Sequence, residues 1–299
     1  MTKILLGIMI LSGIPFIFSL FQAYKMRKAE NRLENESFIK LGLIGAFANF
    51  FDTLGLSSFA IETSLFKNFK LVSDEKLPGT LNVGATIPTL CQAIIFIAAV
   101  EVEPVTLFSM IAAALVGAVV GASLISKLPK KVIQLAMAIA LAVMVVILLA
   151  GQFNLFPVGG DAMGLHGSKL VIAIVGNFIF GALNTLGIGL FAPCMTMVYM
   201  LGMAPIAAFP IMMGSCALLL PFAGMKFIKE DAHSMVGSVA VNIMGPIGVL
   251  IAAKLVKNMD VKILKWLLIG VVIYTTIMMI KSYRETIQRE TVADQKRAA

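Results

Sequence analysis

Residues 52–60 read DTLGLSSFA, and residues 184–192 read NTLGIGLFA. The two stretches align without a gap, and five of the nine positions are identical. The same offset of 132 residues places Pro78 on Pro210, each just ahead of another apolar run. Further on, a glycine followed by a lysine six positions later occurs in both halves, at Gly121 and Gly248. Because these matches come in the same order, we infer that the chain contains an internal duplication.

The composition is that of a membrane protein. Hydrophobic residues make up 59% of the chain and charged residues 13%, with a mean hydropathy of +0.96. A soluble domain carries about 25% charged residues, so this chain has too little charge to cover a water-facing surface. The composition therefore excludes soluble enzymes and nucleic-acid-binding domains. The net charge of +8 lies mainly in short clusters between apolar runs, where lysine and arginine act as orientation signals.

The apolar runs define the predicted membrane segments. Most of them have the roughly 20 residues that a helix needs to cross a bilayer. The two runs that contain the repeated motif, 41–66 and 170–201, are longer and are interrupted by Gly, Ser, Asn or Pro. The first run, 4–23, lacks a convincing signal-peptidase site, and we interpret it as a retained transmembrane helix. The remaining runs are 81–100, 105–125, 132–151, 206–225, 235–253 and 264–280.

The sequence thus predicts an all-α, polytopic integral membrane protein built from two inverted repeats. Each repeat consists of a broken or re-entrant Gly-rich segment and three plain transmembrane helices, and one extra helix precedes them. The predicted division is an N-terminal helix with a basic loop (1–38), a first repeat (39–151), a linker (152–168), a second repeat (169–281) and a polar C-terminal tail (282–299).

Loop charge predicts how the chain is threaded. Lysine and arginine flank the run 41–66 on both sides, so both of its ends should be cytoplasmic and the segment should return on itself. Three crossings per repeat then make the repeats inverted. This arrangement leaves Lys254, Lys257, Lys262 and Lys265 on the outer side, although lysine and arginine are normally enriched in cytoplasmic loops. If the run 170–201 crossed the membrane fully instead, a larger number of lysines and arginines would lie on the outer side. We expect a multi-pass protein of the cell membrane, of the bacterial inner or plasma type.

The two breaks are the predicted binding site. Backbone leaves helical geometry at membrane depth only where protein or a water-lined cavity satisfies its polar groups, and paired breaks are typical of a transporter's central site. A half-helix that starts at a break offers unpaired N–H groups and a partial positive charge, which favours an anion. The candidate substrate-binding residues are Asp52, Thr53, Gly55, Ser57, Ser58, Asn82, Asn184, Thr185, Gly187, Gly189, Cys194 and Ser215.

Asp52 is also the candidate for proton coupling, because a carboxylate at membrane depth is a functional candidate by default. Its counterpart Asn184 cannot titrate, so a proton role would be confined to the first repeat. The alternative for Asp52 is a helix cap. Glu62 is the second acidic candidate, with interfacial placement near Lys67 as the alternative.

Structural alternatives remain open for the other candidates. Gly55, Gly187 and Gly189 could serve close helix packing, which is also our interpretation of the pair Gly117 and Gly121. Asn82 and Ser215 could bond within the protein scaffold, and Cys194 could fill space. No metal-ligand spacing and no cofactor motif occurs in the sequence, and neither His166 nor His233 is assigned a role.

The Gly-rich segments 45–66 and 176–200 resemble those of the TauE/SafE-type sulfite exporter family, also called the toluene-sulfonate uptake permease family. The second copy keeps the Gly-rich turn followed by Pro193, whereas the first has Ser57 and Ser58 in place of glycines and Ile61 in place of proline. The resemblance covers roughly residues 40–280 and leaves the first helix outside. It implies a secondary transporter of sulfite, thiosulfate or an organosulfonate.

The primary functional hypothesis is therefore proton-coupled secondary transport of a small sulfur-containing anion. No ATP-binding P-loop motif is present to support primary pumping. An anion channel or a small-carboxylate transporter is the alternative. An intramembrane serine hydrolase using Ser57 or Ser58 is remote, because no apolar run contains a histidine base. The expected partners are the anion and the lipid bilayer, with no nucleic acid; a homo-oligomer is left open.

Overall fold

Helices make up almost all of the described chain. The computed structural model describes residues 2–54, 58–97, 100–125, 127–153, 155, 160–187, 189–204, 207–255, 266, 269–270, 273–274, 276–277 and 279–288. The helices are α1 (Thr2–Ala29), α2 (Phe38–Thr53), α3 (Ser58–Asn68), α4 (Leu77–Gly84), α5 (Thr86–Ile97), α6 (Pro104–Ile125), α7 (Lys130–Gln152), α8 (Gly167–Asn184), α9 (Phe191–Met200), α10 (Ala208–Lys229) and α11 (Met235–Leu255). The described residues of 266–288 form a further C-terminal helical segment.

The chain is a multi-pass membrane protein. Among the described residues, six helices are long and apolar enough to cross a membrane, and a seventh span results if α4 and α5 count as one. The first of these spans confirms the predicted N-terminal helix, which extends to Ala29 rather than ending near residue 23. The predicted all-α, polytopic fold is confirmed.

Ionic contacts gather several helix ends at one end of the bundle, which we call the basic end. Glu34, which follows α1, accepts hydrogen bonds from the N–H groups of Met235 and Val236 at the start of α11. Lys76, just ahead of α4, pairs with Glu34 at 3.1 Å. Asp74 pairs with Lys67 in the last turn of α3. The ends of α1 and α3 and the starts of α2, α4 and α11 therefore lie together.

Another set of contacts defines the opposite end of the bundle. The N–H of Leu165, just before α8, donates to Thr106 Oγ1 in the first turn of α6. Ala162, before α8, pairs with Met203, which follows α9. The starts of α6 and α8 and the end of α9 therefore lie together. Lys254, near the end of α11, belongs to this end as expected, whereas Lys257, Lys262 and Lys265 lie outside the described residues.

Both broken segments are re-entrant, and they open to opposite ends of the bundle. The pair α2 and α3 starts and finishes at the basic end, and the pair α8 and α9 starts and finishes at the opposite end. The repeats also exchange partners, because α2 packs against α11 and α8 packs against α6. These are equivalent pairs under the repeat offset. The inverted arrangement that loop charge predicted is the one the structure has.

Glycines make these exchanged helix pairs possible. A Cβ atom on Gly117 would overlap the carbonyl oxygen of Phe178 in α8, and one on Gly181 would overlap that of Ala114 in α6. The equivalent pair α2 and α11 meets where Gly248 faces the carbonyl of Ala46. The interpretation of Gly117 and Gly121 as packing residues is confirmed. Backbones approach this closely in membranes because small residues line the contact.

One predicted plain helix is broken. The run 81–100 divides into α4 and α5 at Ala85, with a bend of 42° between them. Pro88 explains the break, because its ring clashes with the carbonyl four residues earlier, at Gly84, and it lacks an N–H donor. The equivalent element of the second repeat, α10, is one helix in spite of Pro221. The expectation of three plain helices in the first repeat was therefore wrong.

Candidate functional site

A side chain bridges each break. In the first repeat, Asp52 Oδ1 accepts the N–H of Ser58, the first residue of α3, at 2.6 Å. In the second, Asn184 Oδ1 accepts the N–H of Leu190, just before α9, at 3.1 Å. The two positions are equivalent, and each reaches six residues ahead. Aspartate and asparagine are interchangeable here because both offer an oxygen that caps a helix N-terminus. The cap proposed as the alternative for Asp52 is thus present.

The two breaks meet in the interior of the bundle. They enclose a small cavity, of which about 10 Å³ is open to the centre of a water molecule. This is about the room that one water needs. The lining comes from the first break (Asp52, Ser58, Phe59), the second break (Asn184, Gly189, Leu190, Phe191), α5 (Thr89) and α10 (Cys216, Leu220).

The cavity is electrostatically suited to an anion at two of its walls. The N-termini of α3 and α9 both border it, since Ser58 and Phe59 begin one helix and Leu190 and Phe191 begin the other. Each helix start carries a partial positive charge and N–H groups that lack a partner within the helix. Two helix starts from opposite repeats therefore bracket one small volume.

Asn82 supports the second break from the first repeat. Its Nδ2 donates to the carbonyl oxygens of Asn184 and Thr185, at 3.3 and 3.4 Å. In return, Asn184 Nδ2 donates to Asn82 Oδ1 at 3.3 Å. The carbonyl oxygen of Asn184 also accepts the backbone N–H of Gly187 at 2.9 Å, so Asn82 adds a second donor at the end of α8. Asn82 therefore acts on the site through Asn184, and it is not among the residues that line the cavity.

The glycines of the second break adopt a conformation that other residues avoid. Gly187 has φ +88° and Gly189 has φ +76°. A Cβ atom on Gly187 would also lie 2.9 Å from Leu81 Cδ1 and 3.1 Å from Met137 Cε. Gly187 thus serves both the turn and close packing, while Gly189 lines the cavity. The equivalent candidates of the first break, Gly55 and Ser57, lie outside the described residues.

The remaining candidates bond within the scaffold. Thr53 Oγ1 donates to Asn49 O at 2.8 Å, and Thr185 Oγ1 donates to Ala182 O at 2.6 Å. Ser215 accepts from Asn177 Nδ2 at 2.9 Å and is not a lining residue. Cys194 is fully buried in the core, also away from the lining. Cys216, the next residue after Ser215, lines the cavity instead. Nothing in the sequence distinguished this cysteine from an ordinary apolar core residue.

A polar cluster around Asp52 was largely missed by sequence reasoning. Gln92 Nε2 donates to Asp52 Oδ2 at 3.0 Å and to Thr53 Oγ1 at 3.2 Å. Asn49 Nδ2 donates to Glu62 Oε1 at 3.2 Å. Glu62 is fully buried within the protein, and Lys67 pairs with Asp74 rather than with Glu62. The sequence did offer one signal for this cluster, which was the presence of amide side chains inside apolar runs. Such side chains are tolerated at membrane depth when they are hydrogen-bonded.

A larger groove lies apart from this chemistry. It has a volume of ≈ 710 Å³ and runs between α7, α8 and α9, with side chains such as Ile139, Phe180 and Met197 along it. Its lining is almost entirely apolar, so a charged solute there would lose its hydration without compensation. The small cavity between the breaks is therefore the candidate site.

A second buried polar cluster holds the basic end together. His233, between α10 and α11, is fully buried, with Nε2 3.2 Å from Arg27 Nη2 and Nδ1 3.0 Å from Ser238 Oγ. Because Arg27 can only donate, His233 is neutral, with its proton on Nδ1. Burial and the Arg27 charge lower the pKa of His233 to about 3. Arg27 also pairs with Asp231 and Glu34, so α1 is tied to the loop between α10 and α11.

The lowered pKa of His233 predicts that the stability of the protein depends on pH. The unfolded chain binds a proton at His233 below pH about 6.5, whereas the folded chain does so only near its lowered pKa of about 3. The contribution of neutral His233 to the free energy of unfolding is therefore fully present above pH about 6.5. It is lost as the pH drops, by about 2 kcal/mol at pH 5. His233→Gln removes this term, so the fall in Tm between pH 7 and 5 should become shallower. Parallel Tm profiles of the two proteins would contradict the assignment.

Two inverted repeats whose re-entrant breaks meet at a buried cavity form the architecture of a multi-pass membrane transporter. Residues 1–148 match the family model described as sulfite exporter TauE/SafE, which confirms the resemblance over the first half of the chain. The match begins at residue 1, so α1 lies within it, contrary to the expectation that the first helix stands outside. Searches of curated proteins and of solved structures found no match.

Proposed function

We propose that the protein is a proton-coupled secondary transporter of a small sulfur-containing anion: sulfite, thiosulfate or an organosulfonate. We place it in the cell membrane, of the bacterial inner or plasma type, with the basic end in the cytoplasm. The family match supports transport, and its description names sulfite. Lysine and arginine concentrate at the basic end, which is the side that the positive-inside rule assigns to the cytoplasm.

The observation that carries the proposal is the meeting of two helix N-termini at one cavity. An anion between α3 and α9 would accept hydrogen bonds from N–H groups on two sides without a buried lysine or arginine. Indeed, no lysine, arginine or histidine occurs in residues 41–66 or 77–97. A pyramidal or tetrahedral oxyanion directs its oxygens toward both helix starts at once, which a planar carboxylate does less well.

The cavity is too small in this conformation to hold the anion. About 10 Å³ accommodates a water molecule but not a sulfite ion with its oxygens. The two re-entrant segments lead from the cavity to opposite ends of the bundle, so a movement of either one against its neighbours would open a path to one side only. This is alternating access, and it distinguishes a transporter from a channel with a continuous pore.

The carboxylates at and near the cavity support proton coupling. Asp52 lines it, and Glu62 is linked to Asp52 through residues of α2. An anion that enters a site of low dielectric constant next to a carboxylate is repelled, and protonation of a carboxylate removes part of that repulsion. Anion and proton should therefore bind together.

The hydrolase alternative has less support. The carboxylate of Asp52 faces Ser58, whereas His233 lies at the basic end with Arg27 and Ser238. Ser58 therefore has no imidazole base next to it among the described residues, and a serine nucleophile needs such a base. The sequence places Ser57 beside the same break, but it lies outside the described residues.

A binding and flux experiment tests the proposal. We expect sulfite, thiosulfate or methanesulfonate to stabilise the purified protein more than acetate does, by about 2.7 kcal/mol at a hundredfold excess over Kd. The stabilisation should be larger at pH 5.5 than at pH 7.5. In proteoliposomes, uptake of the same anion should saturate and should follow an imposed pH gradient. Non-saturating, voltage-driven conductance would favour the channel, and preference for acetate would favour a carboxylate transporter.

A further inference from the structure

We propose that the coupled proton is carried by Glu62, in a buried site formed with Asn49, and that Asp52 stays ionised as a cap. This inference rests on the proposed function, and it deepens it by naming the proton site. Sequence position favours Asp52, because Asp52 lies at the break itself. The hydrogen bonds around the two carboxylates assign the proton to the other one.

The surroundings of Glu62 do not satisfy a carboxylate. Its side chain is fully buried in α3; Oε1 accepts a single amide hydrogen bond, and Oε2 has no partner among the described residues. The helices that make the main contacts with α3 are α2 and α4. Asp52 is the titratable group that α2 brings close to Glu62, and α4 contributes none. An ionised Glu62 would therefore be a buried charge facing another negative charge.

The surroundings of Asp52 do satisfy a carboxylate. Oδ1 accepts the backbone N–H of Ser58 at 2.6 Å, and Oδ2 accepts Gln92 Nε2 at 3.0 Å. The carboxylate of Asp52, a residue of α2, reaches the N-terminus of α3, where the helix dipole favours a negative charge. Its counterpart Asn184 makes the same cap without being able to titrate. Capping the break therefore does not require a proton on Asp52.

Asn49 is held in the orientation that serves Glu62. Its Nδ2 donates to Gly45 O at 2.9 Å as well as to Glu62 Oε1. A flipped amide would place its oxygen against two acceptors, so the assignment of nitrogen and oxygen is unambiguous. The same argument fixes Gln92, whose Nε2 donates to Asp52 and Thr53. Both amides therefore act as donors toward the carboxylates.

The cluster has more acceptors than donors. Buried acceptor oxygens of the cluster without a partner among the described residues are Asn49 Oδ1, Glu62 Oε2 and Gln92 Oε1. A proton on Glu62 converts an acceptor into a donor and so reduces this surplus. A sodium ion would also reduce it, but a sodium ion needs space. The cavity between the breaks is lined by Asp52 and not by Glu62, whereas a proton needs no cavity.

The two carboxylates then act as follows. With the proton on Glu62, the pair carries one negative charge, and the anion binds at the cavity beside the two helix N-termini. When the proton leaves Glu62 for the solution, the pair carries two negative charges, and the bound anion is expelled. The anion and one proton therefore cross together, and no other reactant is needed.

Glu62→Gln, which mimics the protonated state, tests the assignment. In proteoliposomes we expect this variant to retain exchange of internal for external anion within about threefold, because exchange moves no net proton. Accumulation driven by a pH gradient should fall at least tenfold. Glu101→Gln, the same change at an exposed position, is the matched control and should behave as wild type. Undiminished gradient-driven accumulation in Glu62→Gln would overturn the proposal.

Proton uptake by detergent-solubilised protein gives a second test that does not require Glu62→Gln to fold. Addition of the transported anion to weakly buffered wild-type protein should consume protons, and Asp52→Asn should still consume them. Loss of that uptake in an Asp52→Asn protein that the anion still stabilises would place the proton on Asp52 and overturn the inference. Accumulation driven by a sodium gradient instead of a pH gradient would overturn it as well. Absence of anion exchange in the wild type would instead refute the proposed function.

Discussion

Replacement of Asn184 by leucine should lower anion flux by about a hundredfold. The leucine removes the acceptor for the N–H of Leu190 and the donor to Asn82 Oδ1, so two buried polar groups lose their partners. Each such loss costs about 1–3 kcal/mol, which is enough to let the second break leave its observed geometry. Initial rates of uptake into proteoliposomes, normalised to folded protein, measure the effect.

Asn177→Leu is the matched control, because Asn177 is a buried asparagine of the same helix that bonds Met110 O and Ser215 Oγ away from the cavity. It should reduce stability to a similar degree while the folded protein keeps its flux within a few-fold. Equal loss of flux in the two variants would mean that any damage to α8 stops transport, and the special role of Asn184 would be refuted.

Replacement of Gly187 by valine should have an effect at least as large. Gly187 has φ +88°, and a side chain there would press on Leu81 and Met137. A β-branched residue at positive φ adds a strain of about 1–3 kcal/mol. The break would relieve this strain by moving Gly189 and Leu190 away from the cavity. We expect anion flux to fall about a hundredfold or more and ligand-dependent stabilisation to disappear.

A substitution at Gly202 is the control that separates the effect of backbone strain from the effect of a change in the geometry of the cavity. Gly202 has φ +91°, and its nearest obstacle to a Cβ atom is Lys169 Nζ at 3.6 Å. It follows α9 at the opposite end of the bundle, outside the cavity lining. Gly202→Val carries the same conformational cost, yet it should bind the anion and transport it. If Gly202→Val loses binding as fully as Gly187→Val does, strain alone explains both results.

The repeated motif predicted the architecture because it contains the residues that a break needs. The Asp52 and Asn184 positions cap a half-helix across a turn, and Gly187 adopts a conformation that few residues tolerate. Such positions keep the same or a chemically similar residue in both copies, so they remain visible in sequence. Charge clusters then determined the threading, because lysines on both sides of the run 41–66 require its two ends to lie together.

The polar cluster around Asp52 could not be predicted in the same way. Gln92 lies in α5 and Glu62 in α3, and their relation to Asp52 depends on how α2, α3 and α5 pack. Neither residue has a polar equivalent in the repeat, since Gly224 and Cys194 occupy the matching positions. Duplication therefore gave no signal for the asymmetric part of the site, which is the part we assign to the proton.

Two further misses have local causes. The bend at Ala85 had a signal in Pro88, but the apolar run around it looked long enough for one span. His233 lies in a connecting loop, and its burial arises because Arg27 of α1 covers it. A helix from a distant part of the chain thus determines the protonation of a loop residue, and no local pattern in the sequence shows this.

The central claim is that two breaks from opposite repeats jointly hold one anion. A crystal structure of the protein with selenite, the heavier analogue of sulfite, tests it most directly, since selenium's anomalous signal locates the ion. The account predicts one selenium peak between the start of α3 at Ser58 and the start of α9 at Phe191, with the ion in contact with both. A peak in the groove between α7, α8 and α9, or one that contacts a single break, would contradict the account.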